Sequence, residues 1–328
     1  MAQADYRRLN RELAERIARY AAAIRSTFYR LSNELVRLAL KVAGGVDAEA
    51  PFRFDAYPEL SKEAERVFTR LRQEVYDTII NAQEAERTMA DIDAGTIAVA
   101  TLGEKAAKSN PKYNPLFVAA PVMTLQALRE FTRTVGPPQS ATPSSGASPP
   151  SLPPKAPGGT SLPGNIVPRR FDLSGRVWNL TGNFRNEIQQ LIDGGIRDGL
   201  SADSLSRRVQ KYLNEPDRLF RRVRDADGKL TLSKAAEGYH PGRGVYRSSY
   251  KNAMRLARTE INMAYHEQAH ERWRQLDFIA GFRVVLSNAH PVYDICDELQ
   301  GEYPKDFKFT GWHPQCMCHT IALIKGED

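Results

Sequence analysis

The sequence predicts an α+β protein that is mainly helical and carries a small antiparallel sheet near its carboxyl end. Apolar residues recur at steps of three and four along most of the chain, which is the period of an amphipathic helix. Two short runs, 282–286 and 320–324, are rich in β-branched side chains and are typical of strands. These two observations together define the expected fold class.

The first 134 residues are predicted to form an N-terminal helical region. A long apolar stripe predicts one helix over 5–43, which should end at the glycine pair 44–45. A second helix fits 61–88, and a short one fits 122–131. Packing within its own bundle and docking on a larger assembly are both compatible with such a stripe.

Residues 135–170 are predicted to be a linker. Pro, Ser, Gly, Ala and Thr dominate this segment, and large apolar side chains are scarce. Such a composition cannot bury enough surface to offset the entropy lost on ordering, so we expect a semi-extended tether. The linker separates the N-terminal region, 1–134, from a second domain at 171–328.

Helices resume in the second domain. Ser174 is a suitable N-cap for a helix that should run to Ile192 and end at the glycine pair 194–195. Ser201 is expected to begin another helix. A long helix is predicted over 247–275, followed by the two strands.

The overall composition favours a soluble protein in a reducing compartment. The net charge is +7, hydrophobic residues make up 41%, and no apolar run is long enough to predict a membrane span. The N-terminus lacks the apolar core of a signal peptide. An odd number of cysteines, three, argues against a secreted disulfide framework and in favour of free thiols or a metal site.

One local cluster of basic residues offers a weak nucleic-acid signal. A solvated helix face and a surface that contacts phosphates are the two interpretations. The candidate residues are Arg207, Arg208, Arg221, Arg222 and Arg224.

All three cysteines and three of the six histidines fall in the last forty residues, in two clusters. Thiolate, imidazole and carboxylate are the ligands that zinc prefers, in tetrahedral array. Cys296, His313, Cys316 and Cys318 would supply a set of three sulfurs and one nitrogen, and two further candidates stand in reserve. The reserves are His290 and Asp294. Buried cysteines acting as small apolar side chains are the alternative interpretation.

A second pattern is the sequence His266-Glu267-Gln-Ala-His270 within the predicted 247–275 helix. In metallopeptidases two such histidines bind zinc and the glutamate acts as general base. A zinc-dependent metallopeptidase is therefore the alternative function, with His290 or Asp294 as substitute third ligand. An exposed polar helix face is the other interpretation of the motif. On the same helix, Glu260 is expected to form a buried or half-buried ion pair.

The C-terminal domain resembles the phage Mu F-like minor head proteins, also called head morphogenesis proteins, over roughly residues 172–325. The resemblance rests on an Arg-Thr-Glu helix followed by Asp-x-Cys-Asp and His-Pro-x-Cys-x-Cys. The residues that carry it include Arg258, Glu260, Trp273, His290, Asp294, Cys296, Asp297, His313, Cys316 and Cys318. Members usually have Arg between the last two cysteines, where this chain has Met317.

The resemblance implies a low-copy structural protein of a tailed-phage or prophage head, not an enzyme. Portal and capsid proteins are the implied partners, with packaged DNA as a further one and no membrane. The implied location is the head interior near the portal, reached from the host cytoplasm during assembly.

Overall fold

The computed structural model describes residues 5–43, 51–113, 173–215, 222–224, 226–227, 230–232, 246, 248–287, 290 and 293–326. This part of the chain is mainly helical and contains two small antiparallel sheets, which confirms the α+β class. The linker predicted at 135–170 and the short helix predicted at 122–131 lie outside the described residues. Within the described ranges, every helix is too short or too polar to cross a membrane.

The helices and strands follow one another in a simple order. The helices are α1 (Tyr6–Leu40), α2 (Pro58–Leu102), α3 (Glu104–Ser109), α4 (Leu173–Arg197), α5 (Ala202–Asn214), α6 (Ser249–Gln275) and α7 (Ile295–Leu299). The strands are β1 (Arg222–Arg224), β2 (Leu230–Leu232), β3 (Ile279–Val285), β4 (Gly301–Pro304) and β5 (His319–Ile324). Short 3₁₀ turns occupy Phe54–Ala56 and Pro111–Tyr113.

Several helix boundaries differ from the sequence prediction, and Ser174 lies within α4, which begins at Leu173, instead of capping it. Helix α2 runs on to Leu102, because Ala90, Ala94 and Ile97 continue its buried face beyond the predicted end at residue 88. The predicted stop of α4 at the glycine pair 194–195 is wrong. The helix continues to Arg197, and Gly199, at φ 64°, supplies the left-handed turn that ends it.

The chain divides into two compact units. Unit 1 comprises the described residues within 1–15, 83–175 and 261–328, and unit 2 comprises those within 16–82 and 176–260. This division differs from the linear domains 1–134 and 171–328 expected from the sequence. Helices α1, α2 and α6 each supply residues to both units, and a helix of the length of α2, about 68 Å at 1.5 Å per residue, exceeds the core of one small domain.

Unit 2 is built around aromatic side chains. Phe28 of α1 meets Phe184 of α4 edge to face, with ring centroids 5.1 Å apart, and Phe68 of α2 lies 6.5 Å from the same ring. Within this unit Ser201 caps α5 as predicted, because its side chain accepts a hydrogen bond from the Ser204 amide.

Unit 1 contains the three-stranded sheet, in the order β4-β3-β5. Phe282 of β3 pairs with Tyr303 of β4 and with Ala322 of β5, both antiparallel. Trp273, near the end of α6, is buried in the same core, with its ring 6.2 Å from that of Phe282. This core also contains the three cysteines, so the sheet and α6 position the candidate site.

Candidate metal centre

The first half of the site is formed by the N-terminus of α7. Asp294 is the N-cap of this helix, and its Oδ1 accepts a hydrogen bond of 2.7 Å from the amide of Cys296. Asp297 completes a capping box, because its Oδ2 accepts from the amide of Asp294 at 2.8 Å. These local hydrogen bonds fix the backbone around Cys296, whose side chain is buried.

The second half is a tight turn before β5. The amide of Cys316 donates to the carbonyl of His313 at 3.0 Å. Gly311, at φ 103°, lies so close that an added Cβ would stand 3.2 Å from the Cys316 Cβ. Asn262 of α6 donates from its side chain to the Cys316 carbonyl at 3.0 Å and ties the turn to the helix.

Sulfur and nitrogen atoms from the two halves converge. The Cys296 Sγ lies 3.1 Å from His313 Nε2 and 3.7 Å from Cys316 Sγ, and the three residues form a group that could hold a metal ion. A tetrahedral zinc ion with Zn–S bonds of about 2.3 Å would separate two sulfur ligands by about 3.8 Å. The Cys318 thiol is close enough to affect the pKa of Cys296 and of Cys316, but it is not part of that group; all three cysteines are buried and unoxidised. Three of the four residues singled out by the sequence, Cys296, His313 and Cys316, are therefore neighbours.

The imidazole of His313 is oriented by the backbone. Its Nδ1 lies 2.9 Å from the carbonyl oxygen of Pro314, which can only accept, so Nδ1 carries the proton. The other ring nitrogen, Nε2, lies 3.1 Å from Cys296 Sγ and 3.2 Å from Asp294 Oδ2. A backbone carbonyl that holds one imidazole nitrogen while the other faces an ion is the usual support of a metal-binding histidine.

The same geometry does not suit a nucleophilic cysteine. In a Cys-His-Asp triad the two ring nitrogens contact different partners, the nucleophile on one side and the carboxylate on the other. Here a single nitrogen of His313 faces both Cys296 and Asp294. The arrangement therefore favours convergence on a cation over proton transfer between the two groups.

The three thiols have different proton affinities. Hydrogen bonding from Cys318 lowers the pKa of Cys316 to about 5. Burial, followed by the nearby Cys316, raises the pKa of Cys296, and the hydrogen bond to Cys316 followed by burial raises the pKa of Cys318. Cys316 is thus the thiol of the three that loses its proton most readily, and binding of a cation would displace the protons of its thiol ligands.

His290 lies beside this group. Its Nε2 is 2.8 Å from Asp297 Oδ2 and 3.7 Å from Asp294 Oδ1. The hydrogen bond to Asp297 raises the pKa of His290, and the backbone hydrogen bond from Asp294 followed by that histidine lowers the pKa of Asp297. His290, Asp294 and Cys296 form a second group with ligand atoms within 4.8 Å of one another.

His266 and His270 are not on an exposed helix face, so that interpretation of the motif is wrong. They are 1% and 4% exposed, and their rings contact Phe309 and Phe282 at centroid distances of 5.2 and 4.4 Å. The buried stripe of this part of α6 follows steps of three and four that include both histidines. Its members are Asn262, Tyr265, His266, Ala269, His270 and Trp273.

The geometry around these histidines gives no support to a peptidase site. Burial lowers the pKa of His266 to about 3 and that of His270 to about 4, so both rings are neutral. Among the described residues, neither belongs to a metal-capable group. Glu267, the general base of the alternative function, pairs with Lys308 at 3.3 Å.

The remaining motif residues, Arg258 and Glu260, lie on α6. Glu260 is 3% exposed and forms an ion pair with Arg176 within unit 2, which confirms the expected buried pair. Arg258 lies near enough to Tyr250 to lower that phenol's pKa, against the larger opposing effect of burial. Sequence reasoning missed the Asp294–Asp297 capping box, although the Asp-x-x-Asp spacing before Leu299 could have indicated it.

The basic cluster is only partly described. Arg207 is exposed, Arg208 pairs with Asp198, and Arg222 and Arg224 belong to β1, whereas Arg221 lies outside the described residues.

No protein family, curated protein or solved structure matches the chain.

Proposed function

We propose that the chain is a structural minor head protein of a tailed phage or prophage. The observation that carries the proposal is the convergence of Cys296, His313 and Cys316 from two separate turns. These positions belong to the Asp-x-Cys-Asp and His-Pro-x-Cys-x-Cys motifs on which the resemblance to head morphogenesis proteins rests. The motif residues hold two turns together, which is a structural task.

The proposed cofactor is zinc. Cys296, Cys316, Cys318 and His313 offer three sulfurs and one nitrogen, the donor set of closed structural zinc sites. The 3.7 Å separation of two sulfurs and the backbone support of His313 favour this assignment. Zinc at this position would cross-link the N-terminus of α7 to the turn before β5, and its role would be structural, not catalytic.

The proposed partners are the portal and the capsid proteins, with packaged DNA as a further contact. The protein would work in the head interior after assembly in the host cytoplasm. A division into two compact units suits a protein that bridges components of a particle.

Deletion of the gene in the phage or prophage that encodes it tests this function. We expect the yield of infectious particles to fall at least about a hundredfold and to be restored by the wild-type gene supplied in trans. A Cys316→Ser gene should not restore it, whereas Met317→Ser, its neighbour outside the ligand set, should. Normal particles after deletion would overturn the proposal.

A further inference from the structure

Asp294 stands between two imidazoles. Its Oδ1 lies 3.7 Å from His290 Nε2, and its Oδ2 lies 3.2 Å from His313 Nε2. Each oxygen of one carboxylate thus faces a different histidine.

Cys296 also stands between two sets of possible metal ligands. Its Sγ belongs both to the group with His313 and Cys316 and to the group with His290 and Asp294, and the ligand atoms of each group lie within 4.8 Å of one another. A thiolate sulfur has enough lone pairs to bind two ions at once. The two metal-capable groups therefore share one residue, Cys296, and Asp294 of the second group lies beside His313 of the first.

We propose that the site holds two divalent cations bridged by the Cys296 thiolate, with His290 and Asp294 as the other protein ligands of the second ion. The inference rests on the proposed zinc centre, which supplies the first ion. Zinc is the probe of choice for the second, because imidazole, thiolate and carboxylate are all zinc ligands.

The two positions differ in access to solvent. The side chains of His290 and Asp294 are 15% and 39% exposed, whereas Cys316 is 3% exposed. The second ion would therefore keep water in its coordination sphere and exchange faster than the first. A plain ion pair between His290 and Asp297 that orders the N-terminus of α7 is the competing account.

Metal stoichiometry of the purified full-length protein distinguishes the two accounts. After saturation with zinc and removal of unbound ions by gel filtration, we expect elemental mass spectrometry to find two zinc ions per chain. The variants His290→Gln and Asp294→Asn should each retain one. Asn caps a helix as well as Asp does, so the second variant keeps the fold of α7. His319→Gln is the matched control and should retain two.

A second readout follows from the bridge. Cobalt(II) added to two equivalents should give a weaker paramagnetic resonance signal per ion than cobalt added to one, because bridged ions couple magnetically. His290→Gln should abolish this loss of signal.

Each number of bound zinc ions per chain either supports or overturns the proposal. Two ions in the wild type and one in both variants supports the bridge. One ion in the wild type overturns the second site and leaves the first intact, whereas none overturns the zinc centre as well. Two ions in the His290→Gln variant would place the second ion elsewhere and would also overturn the bridge.

Discussion

The Sγ of Cys296 lies 3.1 Å from the Nε2 of His313, although 17 positions separate the two residues in the chain. The first is held by the capping box of α7, and the second by the turn that Asn262 ties to α6. The contact joins two segments that have little regular structure of their own. Interactions at this point should therefore decide whether the end of the chain is ordered.

Loss of one sulfur should release the metal and destabilise unit 1. A structural zinc contributes roughly 10–16 kcal/mol in peptides, against about 5–15 kcal/mol for a whole domain. For Cys316→Ser we expect loss of bound zinc and a free energy of unfolding lower by at least about 3 kcal/mol, or roughly 10 °C in Tm. Calorimetry measures this, with Met317→Ser as control. An unchanged melting curve would refute a structural role.

The ion pair between Arg272 and Asp91 should matter more than those on the surface. Its two N–O contacts measure 2.6 and 3.1 Å, and the side chains are 16% and 6% exposed. Arg272→Met leaves a buried carboxylate without its cation, so we expect a cost of about 3–5 kcal/mol in denaturant unfolding.

The exposed cross-strand pair Arg283–Glu302 provides the control, since its side chains are 55% and 56% exposed. Arg283→Met should cost less than about 1 kcal/mol. Equal effects of the two substitutions would contradict the importance assigned to burial.

Acid should destabilise the fold partly through His270. Burial lowers its pKa from 6.5 to about 4, so the folded state stays neutral where the unfolded chain takes up a proton. Stability is unaffected above pH 6.5 and falls as the pH decreases from there to about 4, by a total of about 3 kcal/mol.

Replacement of His270 tests the direction of this pH dependence. The variant His270→Leu should lose that part of the pH dependence, so the difference in unfolding free energy between variant and wild type should shift in favour of the variant as the pH falls. The metal ligands are common to both proteins and cancel in the difference. Parallel pH profiles would show that His270 does not titrate on unfolding.

Gly281 allows β3 and β4 to approach. A Cβ at this position would stand 2.5 Å from the backbone oxygen of Tyr303, so Gly281→Ala must displace a strand. We expect a loss of about 1–3 kcal/mol, measured by thermal unfolding. Gly182, in α4, has open space around it, and Gly182→Ala should instead stabilise by about 0.5–1 kcal/mol. If both substitutions stabilised the protein, or both destabilised it, this account of the two glycines would be contradicted.

Local patterns predicted much of the secondary structure. Helix α1, the cap at Ser201 and strands β3 and β5 follow from apolar spacing and from side chains that satisfy backbone amides. Strand β4 escaped notice because its four residues, from Gly301 to Pro304, carry no alternation that a sequence would reveal. Its pairing depends on contacts with β3, which are distant in the chain.

The sequence predicted which residues form the candidate metal site, but not how the neighbouring histidines of α6 are packed. Clustering in the sequence singled out Cys296, His313 and Cys316, because ligand types are rare enough to stand out. The burial of His266 and His270 could not be predicted, because polar residues along one side of a helix normally indicate a solvent-exposed face. Only the structure shows which surface packs against them. Their partners, Phe309 and Phe282, come from elements more than ten residues away.

X-ray absorption at the zinc edge tests the central claim most directly. Full-length protein loaded with one equivalent of zinc should show a first shell dominated by sulfur, with about three Zn–S distances near 2.3 Å and one nitrogen near 2.0–2.1 Å. A shell of nitrogen and oxygen alone, or protein that does not retain zinc, would contradict the account.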